Sequence, residues 1–161
     1  MEFRPATGLD LEAINDIYNH YVRTSACTFD IEEIGLDERR EWFADFGGRY
    51  RLVVAVDGER LVGYAHSRPF RPKQAYETSV ETTVYVAEAD HGKGIGKRLY
   101  LALFEALGGE DVHRAYAGIT VPNPASFALH ETLGFRQVAY FTEVGRKFGR
   151  YWDVIWLEKE M

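Results

Sequence analysis

The sequence contains a single cysteine and no long apolar run. Because Cys27 stands alone among 161 residues, neither an internal disulfide nor a metal site of several thiolates can form. No stretch approaches the roughly 18 apolar residues that a membrane-spanning helix needs. Residues 1–4 lack the apolar segment of a signal peptide. We therefore expect a cytoplasmic protein with no membrane partner.

Basic charge is scarce as well. Lysine and arginine number 19 against 25 acidic residues, and the net charge is −6. Because such a surface repels phosphates, we expect no nucleic-acid partner. The 5 histidines show no metal-ligand spacing, so no metal is expected. The length and the 46% hydrophobic content fit one globular domain, which we predict to cover residues 1–161.

Hydrophobic periodicity and turn residues predict alternating strands and helices. Asp10 is the expected N-cap of the first helix, and Asp57-Gly58 indicates a hairpin whose loop is longer than two residues. The predicted strands cover residues 2–5, 51–56, 61–66, 78–86, 115–121, 135–141 and 151–157. The predicted helices cover residues 10–23, 37 to about 47, 94–107 and 124–133.

The resulting order is β-α-α-β-β-β-α-β-α-β-β. Such an order is typical of an α/β protein with a mixed central sheet. The path from strand 78–86 through helix 94–107 to strand 115–121 is expected to be a right-handed parallel crossover.

A glycine-rich segment from His91 to Lys97 joins a predicted strand to a predicted helix. Glycine permits positive φ and close approach of a ligand to the backbone. The N–H groups at a helix start carry partial positive charge and bind phosphate oxygens. The spacing matches neither a Walker loop nor the G-x-G-x-x-G fingerprint. The segment is thus either a tight turn or the site of a cofactor that carries a pyrophosphate.

The same segment resembles motif A of the GNAT superfamily, the GCN5-related N-acetyltransferases. Gly94 and Gly96 match its Gln/Arg-x-x-Gly-x-Gly/Ala pattern, whereas His91 stands where the pattern has Gln or Arg. The run 123–135 is similar to a second motif of the superfamily. The resemblance implies the GNAT fold, in which the fourth and fifth strands splay apart, and acetyl-CoA as co-substrate.

Further stretches are similar to the phosphinothricin and methionine sulfone/sulfoximine N-acetyltransferases. This resemblance implies direct acetyl transfer to the amine of a small amino-acid-like substrate in a ternary complex. It also implies a homodimer. The matching stretches are residues 19–21, 24–25, 29, 80–86, 129–131 and 144–150.

The resemblance carries cofactor contacts over to this chain. The pantetheine arm is expected to pair with the backbone of Val84, Tyr85 and Val86. Asn123 and Ser126 are expected near its thiol end. The expected pyrophosphate contacts are Gly92, Lys93, Gly94, Ile95, Gly96 and Lys97.

Two residues are candidates for the chemistry. An ammonium must lose a proton before it attacks a thioester, and the resemblance places the base at Glu81 on the central strand. On the residues alone, Glu81 could equally be an exposed or paired strand carboxylate. His130 lies where many superfamily members carry a tyrosine that protonates the thiolate. It could act as that acid, help the base, or pack between helix and sheet.

Phe29, Arg68, Tyr76 and Lys147 are the candidate substrate contacts. Aromatic walls suit a small apolar side chain, and a cation suits a carboxylate or phosphinate. Some relatives carry an arginine at the position of Glu77, so this chain either uses another cation or prefers another amine.

Two other functions fit the same residues. An acidic groove formed by Glu32, Glu33 and Glu77 would suit a polyamine, and a protein N-terminus is a further acceptor. A CoA-binding sensor without turnover is the third hypothesis. An intact set of Glu81, Asn123 and His130 argues against such a sensor.

Overall fold

A computed structural model describes residues 1–161 and contains one mixed sheet of seven strands in the order β1-β2-β3-β4-β5-β7-β6. The strands are β1 (Glu2–Pro5), β2 (Leu52–Asp57), β3 (Arg60–Pro69), β4 (Ser79–Val86), β5 (Arg114–Val121), β6 (Arg136–Lys147) and β7 (Arg150–Glu160). The helices are α1 (Leu11–Thr24), α2 (Leu36–Ala44), α3 (Ile95–Leu107) and α4 (Pro124–Thr132). The predicted α/β class and the order of strands and helices are confirmed. No helix has the length and apolar character needed to cross a membrane.

The sheet has apolar side chains buried on both faces. On one face α3 covers β1 to β4, and Leu99 and Leu103 are fully buried there with Val80. On the other face α1 and α2 cover β2 and β3, where Ile14 packs with Tyr64. Successive strand residues point to opposite faces, so neighbouring residues of β4 face α3 on one side and the layer of α1 and α2 on the other.

β4 and β5 run parallel, as the predicted crossover requires, but they pair over only a short length. Their residue pairs are Ser79 with Arg114, Val80 with Ala115 and Glu81 with Tyr116. Beyond that point β4 remains paired with β3, and β5 remains paired with β7. The two strands therefore part in the middle of the sheet, as the family resemblance implied.

One local prediction is wrong, and a second holds only for position. The β2–β3 hairpin has a two-residue loop, because Asp57 pairs directly with Arg60 and Gly58 takes a φ of 64°. Asp10 stands at the N-cap position of α1, as predicted, but its side chain makes no capping hydrogen bond to the helix. Its carboxylate instead accepts hydrogen bonds from Arg4 at 2.8 Å and from the Thr7 N–H at 2.7 Å.

The last hairpin is longer than predicted. β6 and β7 continue to Lys147 and Arg150, so the basic run 146–150 forms the tip of a hairpin. Register shifts between Gln137 and Ala139 and between Phe141 and Gly145 interrupt the alternation of buried and exposed residues. The alternation of apolar and polar residues that predicts a strand is therefore lost before β6 ends, which explains why the predicted strand is too short.

Replacement of Leu99 by alanine tests the α3 packing. Leu99 is fully buried, and its Cδ1 lies 3.1 Å from where a Cβ would stand on Gly63. We expect L99A to lower the free energy of unfolding by about 2–5 kcal/mol, because it leaves a cavity. Urea denaturation measures this change. The matched control is L101A on the same helix, where the side chain is 51% exposed. A loss beyond about 0.5 kcal/mol in that control would contradict the assigned buried face.

Candidate active site

The parting of β4 and β5 leaves main-chain groups of β4 without a strand partner. The Ala87 N–H bonds the Val62 carbonyl of β3, and the Thr78 carbonyl accepts from Arg114 of β5. Because alternate residues of a strand bond opposite neighbours, Val84 and Val86 direct their main chains toward the gap. The Val86 carbonyl accepts the Tyr21 hydroxyl. Val84 is therefore the residue whose main-chain groups stay free for a ligand.

Tyr85 differs from the expectation. It stands directly opposite Tyr64 on β3, and the same alternation directs its main chain toward that strand. Its backbone is therefore not free to pair with a pantetheine arm. Its ring instead packs edge-on against Tyr18, with centroids 5.4 Å apart.

A cavity of about 780 Å³ occupies the gap and continues to the glycine-rich segment and α4. Such a volume lies within the range of small-molecule sites. The cavity is lined by every predicted cofactor residue except Lys93, namely Val84, Tyr85, Val86, Gly92, Gly94, Ile95, Gly96, Lys97, Asn123 and Ser126.

The glycine-rich segment has the geometry of an anion site. Gly92 and Gly94 have φ angles of 76° and 72°, and a Cβ on either would meet open space. The first N–H groups of α3, which begins at Ile95, have no partner within the helix and carry partial positive charge. The segment therefore presents glycine backbone and helix N–H groups to the cavity.

Lys93 does not point its charge at the cavity. Its ammonium lies 2.7 Å from the Asp90 carboxylate, which also receives Arg60 at 2.7 and 3.1 Å. Hydrogen bonds from Arg60 and Lys93 hold the pKa of Asp90 well below its usual range. This cluster connects the glycine-rich segment to β3.

His91 occupies the position where motif A has glutamine or arginine. Its Nε2 lies 2.6 Å from the Tyr21 hydroxyl and 3.1 Å from the Val86 carbonyl. It therefore links α1 to the end of β4 at the rim of the cavity.

Asn123 starts α4. Its Oδ1 accepts the Ser126 N–H at 3.1 Å, so this amide oxygen is an N-cap. The predicted contact of Asn123 with the cofactor would use its remaining polar groups.

Together these residues fit acetyl-CoA. The free main chain of Val84 provides an edge for an extended arm, and the glycine-rich segment with the start of α3 suits a pyrophosphate. No group of three or more His, Cys, Asp or Glu side chains could hold a metal ion.

Glu81 lies where the two strands part. It belongs to the last β4–β5 pair, opposite Tyr116, and its side chain is half-buried. Burial raises the pKa of Glu81, and the nearby Arg71 guanidinium opposes part of that rise. A carboxylate with a raised pKa is suited to accept a proton near neutral pH.

Arg71 belongs to an aromatic cluster that the sequence analysis missed. Its guanidinium lies 4.3 Å from the Phe70 ring centroid and 5.7 Å from that of Trp156. Phe70 stacks on Tyr116 with centroids 4.3 Å apart. These residues come from the β3–β4 loop, β5 and β7, so no local spacing joins them. Arg71 brings a positive charge close to Glu81.

His130 is buried with both ring nitrogens engaged. Nδ1 lies 2.7 Å from the Ser126 carbonyl, and Nε2 lies 2.8 Å from the Tyr100 hydroxyl. Because a carbonyl can only accept, Nδ1 carries the hydrogen and Nε2 of the neutral ring accepts from Tyr100. Burial lowers the pKa of His130, which favours this neutral ring. His130 and Tyr100 both line the cavity.

The predicted substrate contacts do not form one cluster. Arg68 pairs with Asp45 at 3.0 Å and lies over Phe46. Tyr76 is exposed and packs edge-on against Phe70. Arg68 nevertheless stands opposite Glu81 on the same face of the sheet.

Phe29 and Lys147 hold the 25–29 loop against the last hairpin. The Phe29 ring rests on Gly145, where any side chain would clash with it. The Lys147 ammonium is buried and donates to the carbonyls of Ser25 at 2.8 Å and Thr28 at 2.9 Å. Lys147 therefore acts as a structural cation, with two of its three ammonium N–H donors bound to main-chain carbonyls of this loop.

The Glu77 side chain also has a partner within the protein. Its carboxylate lies 3.6 Å from Arg49 on the protein surface. It is exposed, and Arg49 is the cation beside it.

Comparisons with known proteins agree with this geometry. The acetyltransferase (GNAT) domain family matches residues 3–156. The chain is 54% identical to a phosphinothricin N-acetyltransferase of Streptomyces coelicolor, over 100% of this chain and 96% of the relative. It is 33% identical to an L-methionine sulfoximine/L-methionine sulfone acetyltransferase of Salmonella typhimurium, over 100% and 95%.

A solved structure shares the fold. The crystal structure of a GNAT superfamily phosphinothricin acetyltransferase from Sinorhizobium meliloti, in complex with AcCoA, matches with a TM-score of 0.95 and 31% identity. The match covers 99% of this chain and 88% of that chain. The family match covers almost the whole chain, and the parted strands and the glycine-rich start of α3 agree with it. This chain therefore belongs to the GNAT family of acetyl-CoA-dependent N-acetyltransferases.

Proposed function

We propose that the chain transfers the acetyl group of acetyl-CoA to the primary amine of a small amino acid of the phosphinothricin, methionine sulfone or methionine sulfoximine type. The names of the similar proteins support this substrate class. The observation that carries the proposal is the position of Glu81, at the point where β4 and β5 part.

Glu81 is proposed to accept the proton of the substrate ammonium. The raised pKa of Glu81 brings it closer to that of the amine, which helps the proton move. Bound acetyl-CoA supplies an activated acyl group as a thioester. The chain orients that group by the free backbone of Val84 and by the glycine-rich segment.

Tyr100 and His130, which both line the cavity, are proposed to hold a proton there. The Tyr100 hydroxyl donates to Nε2 of His130. His130 is fixed in turn by the Ser126 carbonyl. In this arrangement the two side chains act as a hydrogen-bonded pair, with Tyr100 as the donor.

We propose that the chain forms one domain that works in the cytoplasm as a homodimer, apart from nucleic acid and membrane. The family resemblance supports a dimer, and so do exposed apolar side chains on β6. Val138, Tyr140, Phe141 and Val144 are 46–58% exposed there. Sedimentation of the purified chain as a monomer at micromolar concentration would contradict the dimer.

A panel of amines tests the substrate class. We expect CoA release to be fastest with methionine sulfone, methionine sulfoximine and phosphinothricin, because the chain is similar in sequence to acetyltransferases named for these substrates. Spermidine, ordinary amino acids and a peptide that begins with alanine complete the panel. Turnover on spermidine or peptide alone would reject the class. Binding of acetyl-CoA without any turnover would favour the sensor.

Replacement of Glu81 by glutamine tests the proposed base. We expect E81Q to lower kcat by about 10²- to 10⁴-fold, because the amide cannot accept the proton. The dissociation constant for acetyl-CoA should stay within about threefold, since the cofactor is held by other residues. Steady-state kinetics and calorimetry measure the two quantities.

The matched control is E160Q, which alters an exposed carboxylate at the end of β7. It should retain wild-type kcat. In the wild type, kcat/KM should decline as the pH falls through the raised pKa of Glu81, and E81Q should lack this acidic limb. An unchanged limb in E81Q would remove Glu81 from the mechanism.

A further inference from the structure

A second cavity, of about 310 Å³, lies on the α1–α2 face of the sheet. Its floor consists of two facing pairs of β3 and β4, Tyr64 with Tyr85 and His66 with Thr83. The next pair along the strands is Arg68 with Glu81. Because paired residues point to one face and every second residue shares that face, Glu81 lies on the same face of the sheet as the floor, one pair beyond it. Thr83 and Tyr85 also line the larger cavity, so the two cavities adjoin.

The wall of this second cavity contains a buried arginine without a counterion. Arg39 of α2 is 5% exposed, and its Nη2 has no hydrogen-bond partner. Its Nε donates to Asn15 at 3.0 Å. The guanidinium lies 4.8 Å from the Tyr18 ring centroid and 4.5 Å from that of Trp42. A buried guanidinium is normally paired with an acceptor, so the free Nη2 indicates a missing partner.

His66 offers a second unpartnered atom in the same cavity. Its buried Nδ1 makes no hydrogen bond. Burial lowers the pKa of His66 to about 3, and the charges of Arg68 and Arg39 add to this effect. The imidazole is therefore neutral at physiological pH and can donate one hydrogen bond to a ligand.

The other charged groups near the cavity are already paired or face water. Asp30 and Glu38 line it, but both are exposed, and neither lies within 4 Å of Arg39. Asp30 accepts the Tyr18 hydroxyl. Arg68 is paired with Asp45. The one buried charge that lines the cavity is thus the positive charge of Arg39.

We propose that this second cavity receives the side chain of the acceptor amino acid and that Arg39 binds the oxygen atoms at its end. The inference rests on the proposed function, because it places the reacting amine at Glu81. Two residues of a strand span about 6.6 Å, which an extended side chain of roughly four or five bonds can cover. The aromatic walls suit its methylene groups. The preferred side chain ends in sulfone, sulfoximine or phosphinate oxygens.

Comparison of methionine with methionine sulfone tests this inference, since the two differ only in the sulfone oxygens. In the wild type we expect kcat/KM to be at least about tenfold higher for the sulfone. R39M keeps an unbranched apolar stem in the buried site. It should remove the preference through an increase of about 10- to 100-fold in the KM for the sulfone, while methionine changes less than about threefold.

The matched control is R40M, because Arg40 is the next residue, is exposed and pairs only with Asp37. It should keep the wild-type preference. Phosphinothricin carries an anionic phosphinate at the end of its side chain, whereas the sulfone is neutral. Comparing the two substrates therefore distinguishes charge pairing with Arg39 from hydrogen bonds to its N–H groups. A larger KM increase for phosphinothricin than for the sulfone in R39M would show that charge pairing adds to the hydrogen bonds.

Calorimetry with protein that holds CoA separates this inference from the proposed function. If the sulfone binds the wild type but not R39M, the subsite stands even without acetyl transfer. If the wild type acetylates the sulfone and R39M keeps the preference, the subsite is rejected while the function stands. Thermal melting verifies that R39M folds. If it does not, R39L replaces it, and retention of the full preference would overturn the inference. Equal wild-type values for methionine and its sulfone would overturn it as well.

Discussion

The parallel ladder between β4 and β5 ends at Glu81 and Tyr116, although both strands continue beyond that pair. Each strand stays bonded to its outer neighbour, so one edge of each is open inside the sheet. Main-chain groups buried without partners are costly. The gap therefore favours a ligand that forms hydrogen bonds with the unpaired main-chain groups of these strands. This creates a binding site in the middle of the sheet.

The helices around the gap are positioned by the chain connections and by packing against the sheet. α3 begins at the glycine-rich segment because the crossover must return over the sheet, which brings the helix N-terminus to one end of the gap. Gly96 allows α3 to approach α4, since a Cβ there would lie 3.2 Å from Leu129. On the opposite face, α1 and α2 leave the second cavity above β3 and β4. Glu81 belongs to the last pair of the β4–β5 ladder and stands opposite Arg68 of β3.

Much of this fold follows from local patterns. The 3.6-residue and 2-residue periodicities specify the element order, and the glycine-rich segment marks the start of α3. The pairing of Lys147 with the 25–29 loop joins residues more than 100 positions apart, and so no spacing predicts it. The same is true of Arg39 beside His66 and of Arg71 beside Glu81. The positions of the basic residues can be read from the sequence, but the groups that they contact depend on tertiary structure.

Amide hydrogen exchange on β4, with and without acetyl-CoA, tests most directly whether the gap is the binding site. If the cofactor pairs with the open edge, the Val84 N–H becomes protected on binding, because it gains a hydrogen bond. The Tyr85 N–H, which already faces β3, should change little. Protection confined to the glycine-rich segment, with no change at Val84, would contradict this account of the site.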